Sequence, residues 1–217
     1  MLSPAEKPRR NLTGAVAPAL AAAALAAVVA LVVVGQNGPR QVSQDCVLSG
    51  SESFGGPISL LDTDGALVTQ ADFSDQPSIV YFGYTHCPNL CPPTLYAVAN
   101  ALRQPGGYDI QPIMITLDPQ RDTPAVLKSY VHSGGFPPGL VGLTGSATQV
   151  NAAMAAFKVY SERTSTEGAA ADQYDFNHSS LLYVLDRHWR TRAIINSAHA
   201  KPADIAQCIA AGLERRG

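Results

Sequence analysis

The chain has 217 residues, 46% of them apolar and only 15% charged, with a formal net charge of -2. That length suits one domain or two small ones, and the charge excludes a polybasic nucleic-acid binder of the kind that clusters Lys and Arg. Four cysteines are too few for a disulfide-dense scaffold of this size, so the positions of Cys46, Cys87, Cys91 and Cys208 matter more than their number.

The apolar excess begins near the amino terminus. Residues 12–34, LTGAVAPALAAAALAAVVALVVV, carry no charge, and as a helix rising about 1.5 Å per residue they would be roughly 34 Å long, enough to span a bilayer. Lys7, Arg9 and Arg10 precede the segment and no basic residue follows before Arg40. The positive-inside rule then leaves residues 1–11 in the cytoplasm and exports the rest. A cleaved signal peptide would have an apolar region of about 7–15 residues and a small-residue cleavage site. This one is longer and ends VVVGQNG, which favours an uncleaved anchor. Residues 35–57, rich in Gly, Ser and polar side chains, read as a tether, and residues 58–217 as the folded domain.

Within that domain strand-like and helix-like stretches alternate. Ser78–Gly83 (SIVYFG) reads as a buried strand and Thr94–Arg103 as a helix behind a double proline. Ile110–Leu117 reads as a strand, 123–132 as a helix opened by Thr123-Pro124, Val141–Leu143 as a strand and Ala147–Tyr160 as a helix. Ser180–Leu185 and Arg192–Ile195 complete the strands and Ala203–Glu214 the helices. Such alternation argues for an α/β sheet with helices on both faces. Between Tyr160 and Asn177 lies a polar, small-residue-rich stretch, longer than the usual connection of about 2–6 residues, which reads as an insertion loop.

The chemistry concentrates at Tyr81-Phe82-Gly83-Tyr84-Thr85-His86-Cys87-Pro88-Asn89-Leu90-Cys91-Pro92-Pro93. A buried strand runs into a C-x-x-x-C turn, and the two prolines suit the first turn of a helix, where missing N–H groups are tolerated. Cys91 therefore falls at a helix N-terminus, whose free amides and dipole favour a thiolate. Spacing of i and i+4 allows both sulfurs to face one side, for a disulfide or for a metal. Thiolates are soft donors suited to Cu(I), and two of them with an imidazole make a three-coordinate site; structural zinc takes four ligands, and Cys46 and Cys208 lie far off in sequence.

Three elements in order, YFGYTHCPNLCP at 81–92, LDPQRDTP at 117–124 and NHSSLLYVLD at 177–186, resemble the Sco/SenC family of membrane-anchored copper proteins. The resemblance covers roughly residues 55–215. It implies a thioredoxin-like fold with an insertion loop, preceded by one transmembrane helix, and a metallochaperone that delivers copper, as Cu(I) alone or as both Cu(I) and Cu(II), to a cytochrome c oxidase or prepares the thiols of its copper site. By the same resemblance Cys87, Cys91 and His178 are the copper ligands and Asp118 a supporting carboxylate. The implied partners are the copper-receiving oxidase subunit, a periplasmic thiol reductant and the membrane, with no nucleic acid. The implied location is the inner (cytoplasmic) membrane, single-pass, with the N-terminus cytoplasmic and the folded domain periplasmic or otherwise extracytoplasmic.

Read from the residues alone, a lone histidine is more often a surface or satisfied core residue than a ligand. One further argument supports His178: thioredoxin-type redox enzymes carry a cis-proline before the strand facing their cysteines, and no proline occurs here between Pro138 and Pro202. His178 stands near that position. His86 reads as a solvent-facing neighbour, and Asp122 as a cap on the helix opened by Pro124. Asp118, at the carboxyl end of a strand, admits either capping or function. Cys208 lies on an apolar helix face and reads as a buried free thiol, or as the partner of Cys46 in a disulfide pinning tether to final helix. The competing function is a thiol–disulfide oxidoreductase or thiol peroxidase in which Cys87 attacks and Cys91 resolves.

Overall fold

The structure, a computed structural model, describes residues 44–104, 108–165, 168, 170 and 172–214. The 12–34 anchor, the 1–11 segment and the first part of the tether lie outside them. Among the described residues no helix is long and apolar enough to cross a membrane.

Among the described residues, ten strands and four α-helices follow in chain order: β1 (Cys46–Val47), β2 (Ser59–Leu61), β3 (Leu67–Thr69), β4 (Ser78–Gly83), α1 (Cys91–Leu102), β5 (Gln111–Thr116), α2 (Pro124–Val131), β6 (Val141–Leu143), α3 (Ala147–Ala156), β7 (Ser161–Thr164), β8 (Asp175–His178), β9 (Leu181–Leu185), β10 (Thr191–Asn196) and α4 (Pro202–Glu214). Six strands form the main sheet in the order β1-β10-β9-β4-β5-β6. The β4–α1–β5 and β5–α2–β6 crossovers make its parallel half, as helical connections require. β9 and β10 return antiparallel.

Burial explains the pattern. Every residue of β4 is buried, so its continuous apolar run belongs to a central strand covered on both faces rather than to a half-exposed one. Behind it Phe82, Phe157 and Tyr183 meet at centroid distances of 5.1–6.1 Å, tilted or edge-on as aromatic quadrupoles prefer. The elements expected from 78 to 214 are present, with ends moved by a few residues; the helix expected over Ala147–Tyr160 stops at Ala156.

Two stretches differ from expectation. The folded part begins before residue 58: β1 pairs with β10, Ser51 is buried, and Trp189 Nε1 donates to the Gly56 carbonyl at 2.8 Å. Cys46 is disulfide-bonded to Cys208 in α4, with 5.7 Å between their Cα atoms, so Cys208 is not a free thiol. The expected insertion loop contains the β7–β8 hairpin, a two-stranded sheet of its own. Its strands are mostly exposed and polar, which is why composition disguised them as loop.

Candidate metal centre

The site is assembled where β4 ends. Gly83, its last residue, is required by crowding: a Cβ there would lie 2.7 Å from the Tyr81 ring and 3.0 Å from Cys91 Sγ. The chain turns next, the Cys87 amide donating to the Tyr84 carbonyl at 3.2 Å, and α1 starts at Cys91 itself.

A helix normally begins with several unpaired amides. Here Pro92 and Pro93 have none, and Leu90 makes no side-chain cap. The amide that remains at the helix start, that of Cys91, donates to Cys87 Sγ at 3.2 Å. One cysteine sulfur thus receives the first helical amide. Cys87 is 7% exposed and Cys91 fully buried, and both are free thiols.

The two sulfurs are not equivalent. Cys87 is pulled far below the ordinary thiol range, to about 4, first by the hydrogen bond from the Cys91 thiol, with the His178 ring and the Cys91 and Leu90 amides adding to it against the cost of burial. Cys91 is pushed up, first because its proton is held against the Cys87 thiolate and then by burial. The pair therefore shares a proton asymmetrically: Cys87 is the thiolate and Cys91 the thiol. Tyr81 donates its hydroxyl to Cys91 Sγ at 3.4 Å.

His178 comes from the hairpin. Along β8 half-buried Phe176 and His178 alternate with exposed Asp175 and Asn177, placing the phenyl and imidazole on one face. That face meets Tyr84, whose ring stands edge-on to Phe176 at 5.3 Å and to His178 at 5.9 Å. The Tyr84 hydroxyl also accepts from the Phe176 amide at 3.3 Å. His178 Nδ1 lies 3.0 Å from the Ser179 carbonyl. A carbonyl only accepts, so Nδ1 carries a hydrogen, and Nε2 is the ring nitrogen available to the sulfurs or to a metal. Cys87, Cys91 and His178 each offer one donor atom, all within 4.8 Å of one another. Two sulfurs and an imidazole at that spacing suit a soft monovalent ion such as Cu(I).

Asp118 is outside this cluster. Its amide donates to Thr116 Oγ1, while its carboxylate pairs with Arg121 Nε and accepts from the Tyr174 hydroxyl at 2.7 Å. Asp122 does not cap α2 as expected. The cap is Thr123, whose side chain accepts from the Val126 amide. Asp122, fully buried, instead accepts from the Thr85 amide and hydroxyl and from the Thr116 hydroxyl, bracing the cysteine turn against β5. Burial raises its carboxyl above the usual range. His86 is exposed and engages Thr85. Tyr81, Tyr84 and Tyr174 take part through their hydroxyls, and none of the three stands out in the sequence; the alternation Tyr174-Asp175-Phe176-Asn177-His178 is the signal that points to the last of them.

Sheet, cysteine turn and imidazole together define a thioredoxin-like α/β protein with a thiol–imidazole cluster. Residues 47–214 match the SCO1/SenC family, and the chain belongs to it. Among curated relatives it is 36% identical over 140 residues to mitochondrial SCO1 homolog 1 of Arabidopsis thaliana, covering 63% of this chain and 40% of that protein. It is 39% identical over 140 residues to SenC of Rhodobacter capsulatus, covering 64% and 61%. The crystal structure of Arabidopsis thaliana ScoI with copper bound superposes with a TM-score of 0.65 at 29% identity, covering 73% of this chain and 97% of that one. The matched stretch spans less than two thirds of those curated relatives' own length.

Proposed function

We propose that this chain is a copper-carrying assembly factor that holds copper with Cys87, Cys91 and His178 and passes it to the copper-receiving subunit of a cytochrome c oxidase. The observation that carries the reading is the convergence of two sulfurs and one imidazole within 4.8 Å; membership of the SCO1/SenC family and the copper bound in a related structure support it. Copper is the cargo. Three ligands leave room for an incoming thiolate or imidazole, so transfer proceeds by exchanging one ligand at a time. The 12–34 segment as an anchor in the inner membrane, with the folded domain on the periplasmic side, would keep the carrier close to a membrane target and raise its effective concentration there. Loading the reduced chain with Cu(I) tests the proposal. Binding is expected in the wild type and strongly weakened in Cys87→Ser and His178→Ala; equal affinity in all three would reject it.

A second reading has its own observation. A thiolate at Cys87 beside a protonated Cys91 is the arrangement in which one sulfur attacks and the other resolves. The two readings meet in one requirement: the pair binds copper only when reduced, so a thiol reductant outside the cytoplasm must act on it. Turnover against a disulfide substrate that is unaffected by His178→Ala would favour the redox role.

A further inference from the structure

The candidate site is built from two bodies. Both sulfurs sit on the main sheet's β4–α1 junction, whereas His178 sits on the β7–β8 hairpin, which has no strand neighbour in that sheet. A lone two-stranded hairpin is marginally stable in water. Its base is tied by the Ser179 amide donating to the Tyr160 carbonyl and the Tyr160 amide donating to Ser179 Oγ, both at 3.0 Å, and the far end, where β8 starts, needs a hold of its own.

That hold is a closed loop of contacts made by residues outside the cysteine–histidine cluster. Arg121, three residues after Asp118, pairs with the Asp118 carboxylate through Nε and donates through Nη1 to the backbone carbonyls of Tyr174, at 2.9 Å, and Asp172, at 3.2 Å. Tyr174 returns its hydroxyl to Asp118 at 2.7 Å. The Arg121 and Arg163 guanidiniums lie 3.7 and 3.6 Å from the Tyr174 ring centroid. Two cations cannot share one face at that height, so the ring is sandwiched between them. Asp118 is 2% and Tyr174 7% exposed. Buried charge-assisted bonds of this kind are directional, and each loses its worth when a partner is removed.

We infer that Arg121 and Tyr174, joined through Asp118, are positioning residues for His178: they clamp the root of β8 to the loop after β5 and so set where the imidazole stands against Cys87 and Cys91. The clamp reaches the imidazole through the strand itself. Tyr174 precedes β8 directly and His178 ends it, with Phe176 held midway by Tyr84. Arg121 is suited to the task because its planar fork reaches the carboxylate and two carbonyls together, which a lysine ammonium cannot. The inference rests on the copper-site reading above and adds to it a pair of residues that touch no metal.

The experiment uses the full chain, reduced, with Cu(I) competed against a colorimetric chelator. Arg121→Lys keeps a cation beside Asp118, and Tyr174→Phe keeps the stacked ring, so both preserve the buried charge balance. Each is made alone and together with His178→Ala. With His178 present, each variant is expected to weaken Cu(I) binding about tenfold, the cost usual for groups that orient a ligand. With His178 already removed, neither is expected to change affinity by more than about twofold, since a residue acting through the imidazole has nothing left to position. In the copper-free protein, amide exchange of 175–178 should quicken in Tyr174→Phe. Equal losses with and without His178, or no loss with it, would overturn the clamp while leaving the copper site standing. If His178→Ala binds Cu(I) as tightly as wild type, the ligand assignment falls and the clamp with it.

Discussion

The Cys91 amide donates to the Cys87 sulfur at 3.2 Å, across the turn that opens α1. That bond ties a helix start to a nucleophile. With Pro92 and Pro93 carrying no N–H and Leu90 supplying no side-chain cap, this bond is what satisfies the first amide of the helix. Together with the Cys91 thiol and the His178 ring it makes Cys87 the acidic member of the pair.

Alkylation should therefore distinguish the two thiols. In the reduced, metal-free chain, Cys87 is expected to react with iodoacetamide at a rate nearly independent of pH from 8 down to about 5 and to lose reactivity only as the pH approaches its value of about 4. Cys91 should stay unreactive throughout. In Cys91→Ala, which removes the main donor, the Cys87 profile should shift upward. Peptide mapping of the labelled sites decides the matter; faster labelling of Cys91 would reverse the assignment.

The same asymmetry predicts a pH dependence of stability. The folded pKa of Cys87 is depressed, so the unfolded chain binds the extra proton between about pH 4 and the ordinary thiol range, and stability rises with pH across that window. This contribution is full above the unfolded value and lost as the pH falls through about 4. Cys91 has the opposite sign: its folded value is raised, so its contribution is present below the ordinary thiol range and lost at higher pH. Denaturant midpoints of the reduced wild type and Cys87→Ser should diverge in favour of the wild type between pH 5 and pH 8. Parallel curves would contradict the depressed value.

Crowding at Gly83 gives a third expectation. A methyl group at this position meets the Tyr81 ring at 2.7 Å and Cys91 Sγ at 3.0 Å, so Gly83→Ala should destabilise the fold by about 1–3 kcal/mol, the usual cost of overpacking. It should also shift the thiol titration of the pair, because the displaced atom is the sulfur itself. Thermal unfolding and thiolate absorbance read the two effects separately.

Asp122 offers a fourth. Asp122→Ala leaves the Thr85 amide and the Thr85 and Thr116 hydroxyls without their acceptor in a buried site, a change expected to cost about 2–3 kcal/mol. The Thr123 cap on α2 is untouched, so helix content should persist while the cysteine turn loosens. Circular dichroism with denaturant titration reads both.

Much of the architecture was legible because its signals are local. The β-branched and aromatic run of β4 and the double proline before α1 speak for themselves in the sequence, and the C-x-x-x-C turn sits between them. The hairpin was hidden: β7 and β8 are short, polar and exposed, and pairing between Ser161–Thr164 and Asp175–His178 leaves no hydrophobic period to read. Asp122 was misread for a related reason. D-T-P is a good helix opening, but the cap came from Thr123, freeing Asp122 to point inward at Thr85 and Thr116. Nor does spacing reveal that Arg121 and Tyr174 meet, since their contact depends on how the hairpin folds back.

The most direct test of the central claim is X-ray absorption spectroscopy on the reduced full chain loaded with Cu(I), with the stoichiometry measured on the same sample. The account predicts one copper per chain with two sulfurs and one imidazole nitrogen, the nitrogen disappearing in His178→Ala. A shell without both sulfurs, or one that is the same in wild type and His178→Ala, would contradict it.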